Sequence, residues 1–483
     1  MNQISDEKSS IYGKLMILEG MIILVPIICI LFWKEEAGLI FAFLIPGSVS
    51  VLAGFIICKL FVSDGKEKWK EKSWTIVLFA WVYGFFIATI PFLALNGYSL
   101  TQVIFESVSG FTTTGLSVLN VTTMPHIFLF YRSFLQFVGG VGFVMMMLVF
   151  IQGKASMLLY SAEGHPDKIM PSIGKTARAI VGMYSAFLVI GTIMYCVVGM
   201  PLFDSIIHTM CALSTGGFSN KLNSIGEYNS FAIELVTIFL MLLGTTNFAV
   251  LLLLVRGKWK QFFKVSEMRF LGILILVFVP LLSYFLVIQN SYGITGALRT
   301  SLFNAFSALS TTGYATCSYS DWGAGALGIM ILLMLIGGGI GSTAGGLKLS
   351  RVYLVLRMII FNIKTKISSE HRVITMYYGK PSDEKCRIGK NVLDEAANYI
   401  LLYLLVYIVG VLALCASSDC GLAEAMFEFA SALGTVGLSI GITSYTANAA
   451  TLWIEIAGMV LGRLEIYTIF IGIYNGYKYY IRK

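Results

Sequence analysis

Apolar residues along this chain gather into long runs, and polar or charged residues are confined to short stretches between them. The runs cover roughly 15–33, 37–62, 74–95, 126–152, 178–200, 229–255, 268–290, 325–362, 393–416 and 449–476. A helix crossing the hydrocarbon core needs about 20 apolar residues, and the runs approach or exceed that. The pattern therefore predicts an all-α polytopic protein with ten spanning segments. Between runs three and four, five and six, seven and eight, and nine and ten lie shorter amphipathic stretches. At about ten residues they cannot span, so each is expected to be a re-entrant half-helix.

Composition supports this picture. The chain is 57% hydrophobic and 12% charged, roughly half the charged fraction of a soluble domain. The net charge of +8 does not indicate nucleic acid, because the basic residues sit in alternate loops. One set of loops carries Lys59, Lys66, Lys68, Lys70 and Lys72, then Lys154, Lys168, Lys175 and Arg178, then Arg256, Lys258, Lys260, Lys264 and Arg269. A fourth, 363–392, carries Lys364, Lys366, Arg372, Lys380, Lys385, Arg387 and Lys390. The opposite loops hold little beyond Lys34, Lys221 and Arg299. The basic loops and both termini are thus expected on the cytoplasmic side. Segment 363–392 is too short for a domain and is expected to be a loop under the membrane face where another protein docks. The first apolar run lacks a small-residue cleavage pattern and is expected to be retained. Eight cysteines without a CxxC pair and four scattered histidines suggest neither a disulfide framework nor a metal site.

A short phrase recurs four times on the outer side: "GFTTTGLS" at 110–117, "ALSTGGFS" at 212–219, "ALSTTGYA" at 308–315 and "ALGTVGLS" at 432–439. Its central glycines are Gly115, Gly217, Gly313 and Gly437. The residues before it repeat too: "FESVSGFTTTG", "FNAFSALSTTG" and "FEFASALGTVG" each carry a Phe ten residues before the Gly, where the second repeat has Ile207. This is an internal repeat of helix, half-helix, phrase, helix. Non-helical backbone at membrane depth must be buried in protein or line a water-filled cavity. Four half-helices meeting on one axis aim their partly negative C-termini at it, and rings of carbonyls there replace the hydration shell of a cation. The expected filter residues are Thr113, Thr114 and Gly115; Thr215, Gly216 and Gly217; Thr311, Thr312 and Gly313; and Thr435, Val436 and Gly437. A single copy reads equally as a helix C-cap; four at matching topology favour the filter. No phrase contains a carboxylate, so carbonyls and hydroxyls are the expected ligands, and "TVG" matches the start of the potassium-channel phrase TVGYG.

Two further stretches break the apolar pattern. "IGGGIGSTAGGLK", 336–348, places Gly337, Gly338, Gly339, Gly341, Gly345 and Gly346 inside one run. At about 1 kcal/mol per Gly relative to Ala, a regular helix is not expected, and the segment reads as a flexible plug below the filter. Close helix packing through small residues is the alternative. No strand precedes it and no GK[ST] closes it, so it is not a nucleotide site. In "LGRLEIYT", 461–468, Arg463 and Glu465 lie within the last run, where charge is expensive. They face different directions. Arg463 is expected beside the conduction path as a gating charge, with a structural ion pair as the alternative. Lys348 reads as a snorkelling charge. Arg132, near Gln136 in "YRSFLQFVGGVGF", reads as an interfacial anchor or a support for pore-helix carbonyls.

These phrases, with "GGGIGSTAGGLKLSR" at 337–351 and "GRLEIYT" at 462–468, resemble the TrkH-type subunits of the Trk/Ktr/HKT potassium transporter superfamily. The likeness covers essentially the whole chain, and "ALGTVGLSIGIT" is closer to the Ktr branch. The resemblance implies four pseudo-symmetric M1–P–M2 repeats around one pore, plus two extra N-terminal transmembrane helices. The expected units are 1–72 for the N-terminal pair, 73–152, 178–256, 268–362 (with the loop 337–347) and 393–483 for the repeats, and 363–392 for the cytoplasmic loop. It further implies K⁺ as the transported ion, a homodimer in a bacterial inner membrane, and a cytosolic TrkA/RCK-type regulatory subunit that, rather than this chain, binds nucleotide. A sodium-coupled or less selective cation transporter is the second reading. A multipass enzyme would need carboxylates, His or a nucleophile clustered at one depth, and no such cluster is evident.

Overall fold

The structure is a computed structural model describing residues 10–60, 69–142, 173–368, 375–379 and 386–481. Its first element is a hairpin. Helix α1 (Ile11–Leu24) runs on through 3₁₀ segments at Val25–Leu31 and Lys34–Leu39 into α2 (Ile40–Leu60). Glycines close it. A Cβ on Gly13 would stand 2.6 Å from the Gly54 carbonyl oxygen, and one on Gly20 would stand 2.7 Å from that of Gly47. Lipid gives helices no hydrophobic drive to associate, so backbone approach through small residues takes its place.

Four units of one plan follow. The first holds α3 (Trp69–Phe92), the short α4 (Leu100–Phe111) and α5 (His126–Val141). The second holds α6 (Ile173–Val197), the short α7 (Leu202–Leu213), α8 (Phe231–Thr245) and α9 (Phe248–Val255). The third holds α10 (Ser266–Asn290), the short α11 (Ile294–Leu309), α12 (Ala324–Ile336) and α13 (Leu349–Ile367). The fourth holds α14 (Lys390–Ser417), the short α15 (Leu422–Leu433), α16 (Ala449–Arg463) and α17 (Ile466–Ile481). The protein is thus all-α and polytopic, with four pseudo-symmetric helix–half-helix–helix repeats after an N-terminal pair.

Two predicted straight runs are bent. Helices α8 and α9 meet at 116°, and α16 and α17 at 95°. At the first break Asn247 accepts from the Ala249 amide at 2.7 Å and starts a new helix. At the second, Glu465 sits at φ +55°, which no regular helix accommodates. The run 325–362 is opened between Ile336 and Leu349, as its glycines require. Within 363–392 the chain is not wholly loop: α13 continues to Ile367, and Tyr377–Tyr378 pairs antiparallel with Cys386–Arg387. The part of the run 126–152 beyond residue 142 lies outside the described residues, as do Lys66, Lys68, Lys154, Lys168, Arg372, Lys380 and Lys385.

The buried apolar side chains form two main clusters, one centred on the N-terminal hairpin and repeats one and two, the other on repeats three and four. Large apolar residues on the outward faces of the long helices, such as Leu276 on α10 and Leu405 on α14, stay exposed, as a lipid-facing surface requires.

Candidate functional site

Each short helix ends at its phrase, and all four phrases adopt one backbone conformation. Thr113, Thr215, Thr311 and Thr435 lie at φ +56°, +51°, +55° and +50°; Gly115, Gly217, Gly313 and Gly437 lie at +94°, +71°, +81° and +96°. A β-branched residue at positive φ is an outlier, costing about 1–2 kcal/mol. Four identical outliers mark a geometry that the surroundings impose. The residue between them is tied back to its own half-helix. The amides of Thr114, Gly216, Thr312 and Val436 donate to the carbonyls of Ser109, Cys211, Ser307 and Ser431 at 3.0, 2.8, 3.0 and 2.8 Å.

The glycines show how the phrases meet. A Cβ on Gly115 would lie 2.1 Å from the Gly216 carbonyl oxygen, and one on Gly217 would lie 1.9 Å from that of Thr312. From Gly313 the distance is 1.9 Å to the Val436 oxygen, and from Gly437 it is 2.2 Å to the Thr114 oxygen. Each quarter abuts the next and the fourth returns to the first, so the ring is closed. Any side chain would collide with a carbonyl of the neighbouring quarter, which is why all four positions are Gly. The four glycines open onto a vestibule of about 550 Å³. The hydroxyls of Thr113 and Thr435 are buried and have no hydrogen-bond partner among the described residues. Such a ring of oxygens suits a dehydrated monovalent cation.

Behind the ring stands a set of residues that sequence reasoning missed. The position nine before each glycine is buried and polar: Glu106, His208, Asn304 and Glu428. Each holds the segment that leaves its phrase. Glu106 accepts from the Ser117 hydroxyl at 3.0 Å and the Val118 amide at 3.2 Å. His208 Nε2 lies 3.0 Å from the Ser219 hydroxyl. Asn304 donates to the Thr316 hydroxyl at 3.0 Å. Glu428 accepts from Ser439 at 2.7 Å and from the Ile440 amide at 3.0 Å. The signal was present in the sequence, because each follows the repeated Phe or Ile directly.

Arg132 is not an interfacial anchor, nor does it bind pore-helix carbonyls. It is 2% exposed, donates to Glu106 at 2.5 Å and to Ser117 at 2.8 Å, and stacks over Phe218 at 4.1 Å. A buried carboxylate requires such a partner. Gln136 reaches into the ring, donating to the Gly216 carbonyl at 2.6 Å and accepting from the Phe218 amide at 3.0 Å.

The glycine-rich segment lies on the opposite side of the ring from the vestibule, against the positive-φ threonines of three phrases. The Thr343 hydroxyl lies 3.2 Å from that of Thr215 and 3.0 and 2.9 Å from the Leu213 and Gly244 carbonyls. The Gly345 amide donates to Thr311 Oγ1 at 2.8 Å, and a Cβ on Gly345 would lie 2.1 Å from Thr435 Oγ1. Gly337 and Gly346 pack against each other at positive φ, and Gly341 accepts from the Phe248 amide at 3.0 Å. The Gly338 amide faces the Gly345 carbonyl at 3.4 Å, and the Gly339 amide donates to the Thr245 carbonyl at 3.0 Å. Arg463 clasps the segment, donating to the Thr343 carbonyl at 2.5 Å and to the Gly139 and Gly140 carbonyls at 2.5 and 3.2 Å. Glu465 pairs instead with Arg351 at 2.9 Å, whose guanidinium stacks on Tyr399 at 4.0 Å. Lys348 does not snorkel outward: its ammonium turns back onto the Ala344 carbonyl.

The cysteines are free thiols. Burial pushes the Cys317 thiol, in the loop after the third phrase, up to about 12, which disfavours the thiolate. Among the described residues no group of His, Cys, Asp and Glu suits a metal ion.

Known proteins share this arrangement. A family model described as "TrkH: Cation transport protein" matches residues 60–474. The Trk system potassium uptake protein TrkH of Vibrio parahaemolyticus is 28% identical, over 95% of this chain and 96% of its own length. An uncharacterized cation transporter of Methanocaldococcus jannaschii is also 28% identical, over 94% of this chain and 92% of its own. The crystal structure of the potassium transporter TrkH from Vibrio parahaemolyticus superposes with a TM-score of 0.84 at 26% identity, covering 98% of both chains. The chain is a multi-pass membrane protein and belongs to the TrkH family of cation transport proteins, a family of transporters rather than enzymes.

Proposed function

We propose that this chain takes up potassium across the cytoplasmic membrane through the ring formed by its four phrases. The observation that carries the reading is the closed contact Gly115–Gly216, Gly217–Thr312, Gly313–Val436 and Gly437–Thr114. Carbonyl and hydroxyl oxygens on every side, with no carboxylate in the ring, favour a monovalent cation of low hydration cost. The names of the Trk potassium uptake relatives support K⁺ as that cation. An inside-negative potential supplies about 2.3 kcal/mol per charge per 100 mV, enough to concentrate it without another energy source.

In this reading the segment Gly337–Leu347 closes the path, held by Arg463, and a cytosolic regulatory subunit of the TrkA/RCK type releases it. The chain works as a homodimer, its basic loops and termini face the cytoplasm, and the nucleotide belongs to the partner. Rubidium and sodium tracer uptake into proteoliposomes tests the reading. Rubidium uptake well above sodium uptake is expected. Equal uptake of the two would replace it with an unselective cation path, and the absence of any flux even in Arg463→Ala would overturn it.

A further inference from the structure

Repeat four contains a second buried carboxyl with no cation to balance it. Glu428 backs the filter as Glu106 does in repeat one. Seven residues before the glycine that packs on the half-helix end, repeat one has Arg132 (before Gly139) and repeat four has Glu455 (before Gly462). Thus the place where Glu106 meets a guanidinium is the place where Glu428 meets another acid. Both are 0% exposed, and among the described residues neither forms an ion pair.

Counting hydrogens locates the missing proton. Glu428 is well supplied as an anion: the Ser439 hydroxyl at 2.7 Å, the Ile440 amide at 3.0 Å, the Thr443 amide at 3.0 Å and the Thr443 hydroxyl all donate to it. Among the described residues the one hydrogen-bond partner of Glu455 is Thr443 Oγ1, 3.0 Å from both carboxyl oxygens. Thr443 has a single hydroxyl hydrogen, and the shorter contact to Glu428 takes it. As an anion, Glu455 would be fully buried with no donor, next to a second anion. Two carboxylates sharing such a site do not both ionise.

We propose that Glu455 is a proton-binding site, a neutral acid that donates to Thr443 Oγ1 while Thr443 donates to Glu428. Thr443 lies on the strand leaving the fourth phrase, so the relay braces that quarter of the ring and makes it responsive to pH. Among the described residues, the helices packed on α16 bring no cation to Glu455. On α15 only Glu428 acts on Glu455. Glu424 on that helix accepts from the Gly421 amide at its first turn. On α4, Glu106 is held by Arg132. On α14, Tyr407 donates to the Met426 carbonyl and Ser417 meets Thr451. Helix α17 begins beyond the bend, past Glu465, which is committed to Arg351.

The test is infrared difference spectroscopy on the full chain in lipid, stepping the pH upward, with rubidium and sodium flux measured alongside. A protonated-acid carbonyl band that is lost on the step is expected in the wild type. It is absent in Glu455→Gln, and in Thr443→Val it is retained but moved to higher frequency, because the acid loses its acceptor. The rubidium-over-sodium preference falls with rising pH in the wild type and holds constant in Glu455→Gln. Glu19→Gln, which removes the buried acid of α1 that has no hydrogen-bond partner among the described residues, leaves the responsive band in place. A band unchanged in Glu455→Gln overturns the proposal, as does no acid band in the wild type with sodium present, which would place a sodium ion between the carboxylates instead.

Discussion

Replacing Gly313 by Ala probes the ring at one of its two tightest contacts. The new methyl would start 1.9 Å from the Val436 carbonyl oxygen and 2.8 Å from its carbon. Real contacts of this kind do not fall below 3.0 Å, so the carbonyl must retreat by roughly an ångström. The backbone at φ +81° adds about 1–2 kcal/mol for any residue with a Cβ, and overpacking a tight site adds about 1–3 kcal/mol. The total is about 2–5 kcal/mol, concentrated on one ring oxygen. A tenfold change in preference needs only about 1.4 kcal/mol, so the rubidium-over-sodium flux ratio in proteoliposomes should fall by at least about tenfold. Gly199→Ala is the control. Its φ is +94°, but nothing lies within 4 Å of its Cβ position, so it bears the same backbone strain away from the ring. Its flux ratio should match the wild type while its stability falls by about 1–2 kcal/mol. Wild-type preference in Gly313→Ala, in protein that folds as well as Gly199→Ala, would refute the closed ring.

Three more expectations follow from the contacts around it. Arg463→Ala removes the clasp between Thr343 and the Gly139 and Gly140 carbonyls, so rubidium flux without a regulatory partner should rise, and an unchanged flux would remove Arg463 from the gate. Thr343→Val deletes the hydroxyl contacts to Leu213, Gly244 and Thr215 and should raise the same flux while sparing the selectivity ratio. Arg132→Ala leaves Glu106 buried without a counter-charge and should cost about 3–5 kcal/mol in unfolding measurements in detergent; the pair Glu106→Gln with Arg132→Met should recover most of that, and a single variant as stable as the pair would contradict the argument.

What the sequence disclosed and what it withheld follow from the range of the forces involved. Half-helices depend on local hydrophobic length and the repeats on spacing, so both were legible; of the ten expected spans, six helices among the described residues, or eight if each bent pair is one span, are long and apolar enough to cross a membrane. The glycines of the phrases were legible because a carbonyl of the next quarter excludes every side chain, which leaves the same letter at all four places. The bends at Asn247 and Glu465 were not, since apolar content hides a break made by one cap and one positive φ. Arg132 was misread because its partner, Glu106, lies on another helix, and a lone charge in an apolar run does not say whether it faces lipid or protein. The set behind the ring, Glu106, His208, Asn304 and Glu428, was hidden by its own chemistry: an acid, an imidazole and an amide do one job, so the eye finds no repeated letter. Arg463 was expected beside the conduction path, but its carbonyl partners Thr343 and Gly139 join segments far apart in the chain and could not be read.

The central claim is that one chain supplies four quarters of a single cation filter. Anomalous scattering from crystals grown in rubidium measures it directly. A peak is expected on the axis of the ring, among the carbonyls of Thr114, Gly216, Thr312 and Val436, and it should weaken when sodium replaces rubidium. A ring with no rubidium peak, or a peak lying outside it, would contradict the account.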